Sequence, residues 1–198
     1  MIKVGIIGAT GYAGGELVRL LLGHREAKIV WYGSRSYIDK KYADVYQNMF
    51  RLVEDVCRDD NMEQLADEAD VIFTATPQGL CASLVNEEIL SKTKVIDLSA
   101  DFRIKDVKVY EEWYKLEHKA PQFINEAVYG LCEINRKAVK KARLVAKSGM
   151  LSHLFHAVHL SASERRHYRR QHGDYRREVR YLRSGKRGES RQSVLRSQ

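Results

Sequence analysis

From residue 3 to residue 146 the chain alternates short apolar runs with stretches of helical spacing. Lys3 to Ala9 (KVGIIGA) is rich in Val and Ile and closes on glycine, the pattern of a strand buried on both faces of a parallel sheet. GGELVRLLLGH follows, with Leu17, Leu20 and Leu21 on one predicted helical face. A second apolar run, AKIVWYGSRS, stops at Gly33, so this opening reads strand, helix, strand: one right-handed crossover unit. MEQLADEAD predicts a short helix entering the strand VIFTATPQG, which ends at Thr76 and Pro77. Leu80, Leu84, Val85 and Leu90 give LCASLVNEEILSKT the spacing of one helix, and KVIDLSADFR is another buried strand. Residues 107–126, mixed aromatic and charged, predict an excursion over the surface. INRKAVKKARLVA returns as a helix and the start of one more strand. Strands alternating with helices specify an α/β fold, a Rossmann-type doubly wound parallel sheet, and no internal repeat is visible.

The alternation stops after Ala146. Residues 147–198 contain no Ile, Thr, Pro, Asn or Cys and are dominated by Arg, Ser and His, without a helical or strand period that could build a core. The expected organisation is a Rossmann-like domain over 1–146 and a basic, non-native or disordered tail over 147–198, which leaves the sheet incomplete. Charge follows the same seam. The net +8 of the chain lies in the tail, and the first 146 residues are close to neutral.

Three cysteines, Cys57, Cys81 and Cys132, lack the paired spacings of a zinc site or redox motif and predict reduced, mostly buried thiols. The amino terminus enters a strand pattern at once, and no apolar run approaches the ~18 to 20 residues that span a bilayer. A cytoplasmic protein without membrane contact is expected.

The first strand runs into GATGYAGG, where Gly8, Gly11 and Gly14 form G-x-x-G-x-x-G at the start of a helix. Glycines there let the backbone turn tightly and approach a pyrophosphate, whose charge meets free amides and the positive helix end. A glycine-rich turn without a ligand is the alternative. After the second strand, where an NAD site places an acid, the chain has Ser34, Arg35 and Ser36, which favours the 2′-phosphate of NADP. An ordinary solvated arginine is the alternative there.

Five blocks, GATGYAGGELVRLL, the SRS turn, TATPQG, DLSADFR and AVYGLCEI, occur in this order between Met1 and Ala146. Together they resemble the N-acetyl-γ-glutamyl-phosphate reductases of arginine biosynthesis. Aspartate-semialdehyde dehydrogenases share the loop, but the tyrosine of GATGYAG, DLSADFR and YGLxE point to the arginine pathway. Cys132 stands where that family usually has proline. The resemblance implies NADPH-dependent reduction of N-acetyl-L-glutamyl 5-phosphate to the 5-semialdehyde with release of phosphate. A cysteine thiolate displaces phosphate, and a histidine of a second domain handles the proton. It further implies that Gly8, Thr10, Gly11, Tyr12 and Ala13 cradle the pyrophosphate and that Ser34 and Arg35 face the 2′-phosphate. Thr76, Pro77 and Ser99 are implied near the nicotinamide, and Arg103 on an anionic substrate group. An ion pair of Arg103 with Asp101 or Glu112 is the alternative. No metal is expected; the intact family implies a homo-oligomer.

The family's nucleophile lies in N-P-G-C-Y-P-T, directly after a strand ending like LVA. Here LVA leads into KSGMLSH, with Met150 at the cysteine position. Methionine forms no thioester. Spelled AAA TCC GGG ATG CTA TCC CAC and read one nucleotide later, the same stretch gives Asn-Pro-Gly-Cys-Tyr-Pro-Thr; Met followed by a CTN leucine forces the TGC. The same shift over YRREVRYLRSGKRGESRQSVL permits a glycine-rich stretch resembling a later motif of the family. A frameshift near codon 147 is therefore expected, and with it a chain lacking nucleophile and turnover.

The same expectation covers the rest of the tail. RRHYRR and DYRREVRYLR interleave tyrosine with arginine as a nucleic-acid arm does, and His153, His156 and His159 approach metal spacing. A shifted frame accounts for both, so no specific nucleic acid is expected. His24 and His118 are read as surface residues, Cys81 as a packed thiol, and the helix leucines as core.

Overall fold

In the computed structural model, which describes residues 1–149, the apolar runs pair as six parallel strands. The elements are β1 (Ile2–Ile7), α1 (Tyr12–Leu22), β2 (Ala27–Tyr32), α2 (Tyr42–Val45), α3 (Met62–Glu68), β3 (Val71–Thr74), α4 (Leu80–Leu84) and α5 (Glu87–Lys92). β4 (Lys94–Asp97), α6 (Val107–Tyr114), β5 (Val128–Gly130), α7 (Cys132–Lys141) and β6 (Leu144–Lys147) complete them. The sheet order is β2-β1-β3-β4-β6-β5. The α/β Rossmann-type reading holds. The reading of residues 150–198 as a non-native tail, Met150 and the three tail histidines included, lies outside the described residues.

Burial of β1 on both faces explains its unbroken apolar run. Val4 and Ile6 enter one apolar cluster with Val18, Ile29, Tyr32 and Tyr42, while Ile7 enters another with Trp31, Leu65, Ile72, Val95 and Leu144. α1 lies close to the sheet because Gly14, Gly15 and Val18 form its buried face. Leu17 and Leu21 flank that face, but Leu20 is exposed, against the core reading of all three leucines.

Two further expectations need correction, and one strand has no counterpart in the sequence reading. The single helix over LCASLVNEEILSKT is two: Val85 turns extended, and the Asn86 side chain accepts from Ile89 N to cap α5, a local bond that competes with continuing α4. The surface excursion at 107–126 contains α6, capped by Asp106, and buries Tyr110 completely. β5 came without a sequence signal, since three residues paired to one neighbour carry no readable period. Cys57 and Cys81 are buried and Cys132 is exposed. Among the described residues no helix is long and apolar enough to cross a membrane, and no cluster of His, Cys, Asp and Glu could hold a metal ion.

Candidate functional site

The turn after β1 is built for close backbone approach. Gly8 has φ +75°, and a side chain there would put Cβ 2.5 Å from Ala75 O; a Cβ on Gly14 would lie 2.2 Å from Gly8 O. Gly11 caps α1 without a side-chain bond, and the first turn of the helix holds no acidic residue. Among the described residues, the amides of Tyr12, Ala13 and Gly14 meet no protein acceptor. They are the open donors that every helix start presents, and with the helix dipole they favour an anion.

Behind this turn the carbonyls are tied back. Tyr42 donates its hydroxyl to Ala9 O at 3.0 Å, and Tyr46 donates to Thr10 O at 3.1 Å and Gly11 O at 3.0 Å. The carbonyls are thus consumed on the inner side while Tyr12, 98% exposed, and Ala13 stand at the surface. Sequence reading missed both tyrosines. Their i, i+4 spacing in YADVY was the available signal.

Ser34 and Arg35 part company at the end of β2. Ser34 is buried, shares a 2.8 Å hydrogen bond with the Thr10 hydroxyl and accepts from Tyr37 N, so it staples β2 to the glycine turn. Arg35 is exposed, with its Nε 3.6 Å from Asp60 Oδ2. Asp60, another missed residue, also accepts from Gly8 N at 3.4 Å. Burial pushes its carboxyl above the usual range, against the pull of the Gly8 amide and Arg35. It comes from a loop 52 residues beyond Gly8, a separation no local pattern signals.

The end of β3 borders the same turn. Thr76 follows Ala75, and its hydroxyl is buried with no hydrogen-bond partner among the described residues. Pro77 is exposed. Ser99 is buried: its hydroxyl donates to Asp97 Oδ2 and accepts from Asp101 N. Asp97 also accepts from Thr74 Oγ1 and Ser99 N, and its carboxyl is raised chiefly by burial. Among the described residues Arg103 makes neither of the ion pairs that were the alternative to a substrate role. Its Nε donates to Lys147 O at 2.6 Å and its Nη2 to Leu98 O at 3.1 Å, tying the segment after β4 to β6.

His118 is not a surface residue. It is 4% exposed, with Nε2 2.7 Å from Asp101 O and its ring edge-on to Phe102 and Tyr110. His24 is exposed, as expected. Cys81 is a packed thiol whose ionisation is pushed well above its usual range, first by burial.

The sequence-predicted residues therefore converge on the carboxyl edge of the sheet, the edge at which open parallel sheets hold ligands. Gly8, Thr10, Gly11, Tyr12 and Ala13 lie after β1, Ser34 and Arg35 after β2, Thr76 and Pro77 after β3, and Ser99 and Arg103 after β4. The observed geometry fits a dinucleotide: open amides at a helix start, glycines whose missing Cβ atoms let the turn, α1 and the end of β3 pack backbone to backbone, and a buried threonine hydroxyl without a partner among the described residues.

Residues 3–142 match the family described as semialdehyde dehydrogenase, NAD binding domain. A protein of Lachnospira eligens named N-acetyl-gamma-glutamyl-phosphate reductase is 79% identical over 150 residues, 75% of this chain and 43% of that protein. One of the same name from Lachnoclostridium phytofermentans is 71% identical over 149 residues, again 75% of this chain and 43% of that protein. The chain spans under half the length of these curated relatives. Among solved structures, aspartate semialdehyde dehydrogenase II of Vibrio cholerae, complexed with ASA, superposes with a TM-score of 0.52 at 17% identity, covering 78% of this chain and 44% of that one, a likeness of fold. The chain belongs to the semialdehyde dehydrogenase family, and residues 3–142 are its NAD-binding domain.

Proposed function

We propose that residues 1–146 form the NADPH-binding domain of an N-acetyl-γ-glutamyl-phosphate reductase, and that this polypeptide binds the cofactor without turning over substrate. The observation that carries the reading is the set of open amides at Tyr12, Ala13 and Gly14 beside an exposed arginine at the end of β2. Gly8, Thr10, Gly11, Tyr12 and Ala13 hold the pyrophosphate in this reading. Arg35 takes the 2′-phosphate, with Ser34 stapling it to the turn. Its pairing with Asp60 is half in solvent and worth at most ~1 kcal/mol, so a phosphate can recruit the guanidinium at small cost. Thr76 and Pro77 face the nicotinamide, with Ser99 behind them. When bound, the cofactor supplies hydride for reduction of an acyl phosphate to an aldehyde. Arg103 serves an anionic substrate group only after exchanging a carbonyl partner.

Turnover requires a thiolate after β6, and the position holds Met150. We propose a frame change near codon 147, which restores Asn-Pro-Gly-Cys-Tyr-Pro-Thr; a likeness to relatives that spans 150 of the 198 residues supports it. The coding nucleotides decide this, and a frame without TGC at codons 150 and 151 would sink it. The small-molecule substrate is N-acetyl-L-glutamyl 5-phosphate. The chain acts in the cytoplasm, and the intact enzyme is a homo-oligomer. Fluorescence titration tests the cofactor reading. NADPH binds more tightly than NADH by about tenfold or more, as one charged hydrogen bond to the 2′-phosphate supplies. Equal affinities, or no binding, would overturn it.

A further inference from the structure

α4 lacks an ordinary cap. It starts at Leu80 after Gly79, which has φ +87° and no side chain to offer. Asp101 takes that place from across the sheet edge: its Oδ1 accepts from Gly79 N at 2.7 Å and its Oδ2 from Ala82 N at 3.0 Å. The carboxylate is completely buried and is itself fixed, by the Tyr110 hydroxyl donating to Oδ1 at 2.9 Å and by Asp101 N donating to Ser99 Oγ. His118 closes the arrangement by donating from Nε2 to Asp101 O while Nδ1 accepts from Ala120 N.

Three donors thus converge on two oxygens that can only accept. An asparagine would turn an NH2 group toward one of these donors, so the pattern demands the acid. Among the described residues the chain has few other ties between β3 and Gly79: Ala75 N donates to Ile7 O, Leu80 N reaches Pro77 O at 3.4 Å, and the Thr76 hydroxyl has no partner. The loop hangs from β3 at one end and from Asp101 at the other.

We infer that Asp101 is a positioning residue: by capping α4 from the segment after β4, it fixes the Thr76–Gly79 loop, and with it the Thr76 hydroxyl and the Pro77 ring, for the nicotinamide half of the dinucleotide. The inference rests on the cofactor reading above for its ligand, and on hydrogen-bond geometry alone for the loop. Tyr110 and His118 act through Asp101 and touch nothing that reacts.

The test uses the whole chain, Asp101→Asn and the milder Tyr110→Phe. Hydrogen exchange reads the loop directly: the amides of Gly79 and Ala82 exchange about tenfold faster or more in Asp101→Asn, and less so in Tyr110→Phe, while β1 and β4 keep their protection. Binding reads the consequence. Adenosine 2′,5′-bisphosphate, which lacks the nicotinamide half, keeps its affinity within about twofold, whereas NADPH loses about tenfold and its bound fluorescence signature. Unchanged exchange at Gly79 and Ala82 would overturn the inference, as would equal weakening of both ligands, which marks a purely structural acid. Should Asp101→Asn fail to fold, Tyr110→Phe decides by the same two readouts. Failure of the unaltered chain to bind either nucleotide would instead overturn the cofactor reading, and the exchange result then decides the role of Asp101 by itself.

Discussion

Replacing Gly14 by alanine puts a methyl group against backbone rather than a side chain. The added Cβ would lie 2.2 Å from Gly8 O and 2.8 Å from Ala9 Cα. Neither atom can swing aside as a side-chain end does, so the turn itself must shift. Overpacking of this kind costs about 1–3 kcal/mol, and a backbone obstacle places it near the upper end. Alanine returns about 1 kcal/mol over glycine inside a helix. The net expectation is a loss of about 2 kcal/mol, or a fall in Tm of roughly 4–8 °C for a domain of this size. Because the displaced atom belongs to the cradle, NADPH affinity falls with it by about tenfold or more. Gly23→Ala is the matched control. Gly23 sits at the other end of α1 with φ −87°, and its added Cβ would meet nothing nearer than Leu20 O at 3.8 Å, so stability is unchanged or rises by about 0.4–1 kcal/mol. Differential scanning calorimetry and fluorescence titration on both variants give the answer. If Gly14→Ala melts with the unaltered chain and binds NADPH as well, α1 does not press on the Gly8 turn and the cradle argument fails.

Arg35→Ala should erase most of the preference for NADPH over NADH, by about tenfold, and leave the melting temperature within a degree or two, because the pairing with Asp60 is solvent-exposed on the arginine side; a preserved preference in competitive titration would remove Arg35 from the site. Burial raises the Asp97 carboxyl, so the folded chain holds its proton more tightly than the unfolded one, whose value is ~3.9. The contribution is therefore full below about pH 4 and lost as pH rises through the higher folded value, and Asp97→Asn should flatten the decline of the urea midpoint as pH rises above about 4. Identical slopes in the two proteins would contradict that. Under native conditions a thiol reagent should modify Cys132 alone, with Cys57 and Cys81 reacting only after denaturant is added; fast labelling of all three by mass spectrometry would show that the two interior clusters open readily.

The buried strands were legible because burial on both faces leaves an apolar run with nothing to confuse it, as in KVGIIGA and KVIDLSA. The turn after β1 was legible because its geometry lies in backbone and its signature is the absence of side chains at Gly8, Gly11 and Gly14. What escaped were contacts made across long separations. Asp60 reaches Gly8 from 52 residues away, and Asp101 reaches Gly79 from 22. Tyr42, Tyr46 and His118 look like ordinary surface aromatics until the fold brings a carbonyl to each. Arg103 reads as a partner for an anionic substrate group, with an ion pair to Asp101 or Glu112 as the alternative, yet a guanidinium beside a strand end finds carbonyls as readily, and it donates to those of Lys147 and Leu98. The hydroxyls of Ser34 and Ser99 bond within the protein, whereas the buried hydroxyl of Thr76 meets no partner among the described residues.

The position of β6 bears on the proposal that this polypeptide keeps its fold and cofactor affinity without turnover. β6 is an interior strand, bonded to β4 on one side and β5 on the other, and Arg103 grips its last carbonyl at Lys147. Everything the six-stranded sheet needs is therefore encoded by residue 147. The chain then leaves the sheet at the carboxyl edge, beside the segment that carries Ser99 and Arg103, where parallel sheets place their chemistry. The proposed change of reading frame just past that carbonyl would spare every strand pairing among the described residues while replacing the segment in which the nucleophile is expected. Stability and cofactor affinity should thus be separable from turnover in this polypeptide: cooperative unfolding and NADPH binding without reduction of the acyl phosphate. Measured turnover by the purified chain would mean that the reaction does not need a thiolate after β6, and the separation argued from the sheet order would collapse.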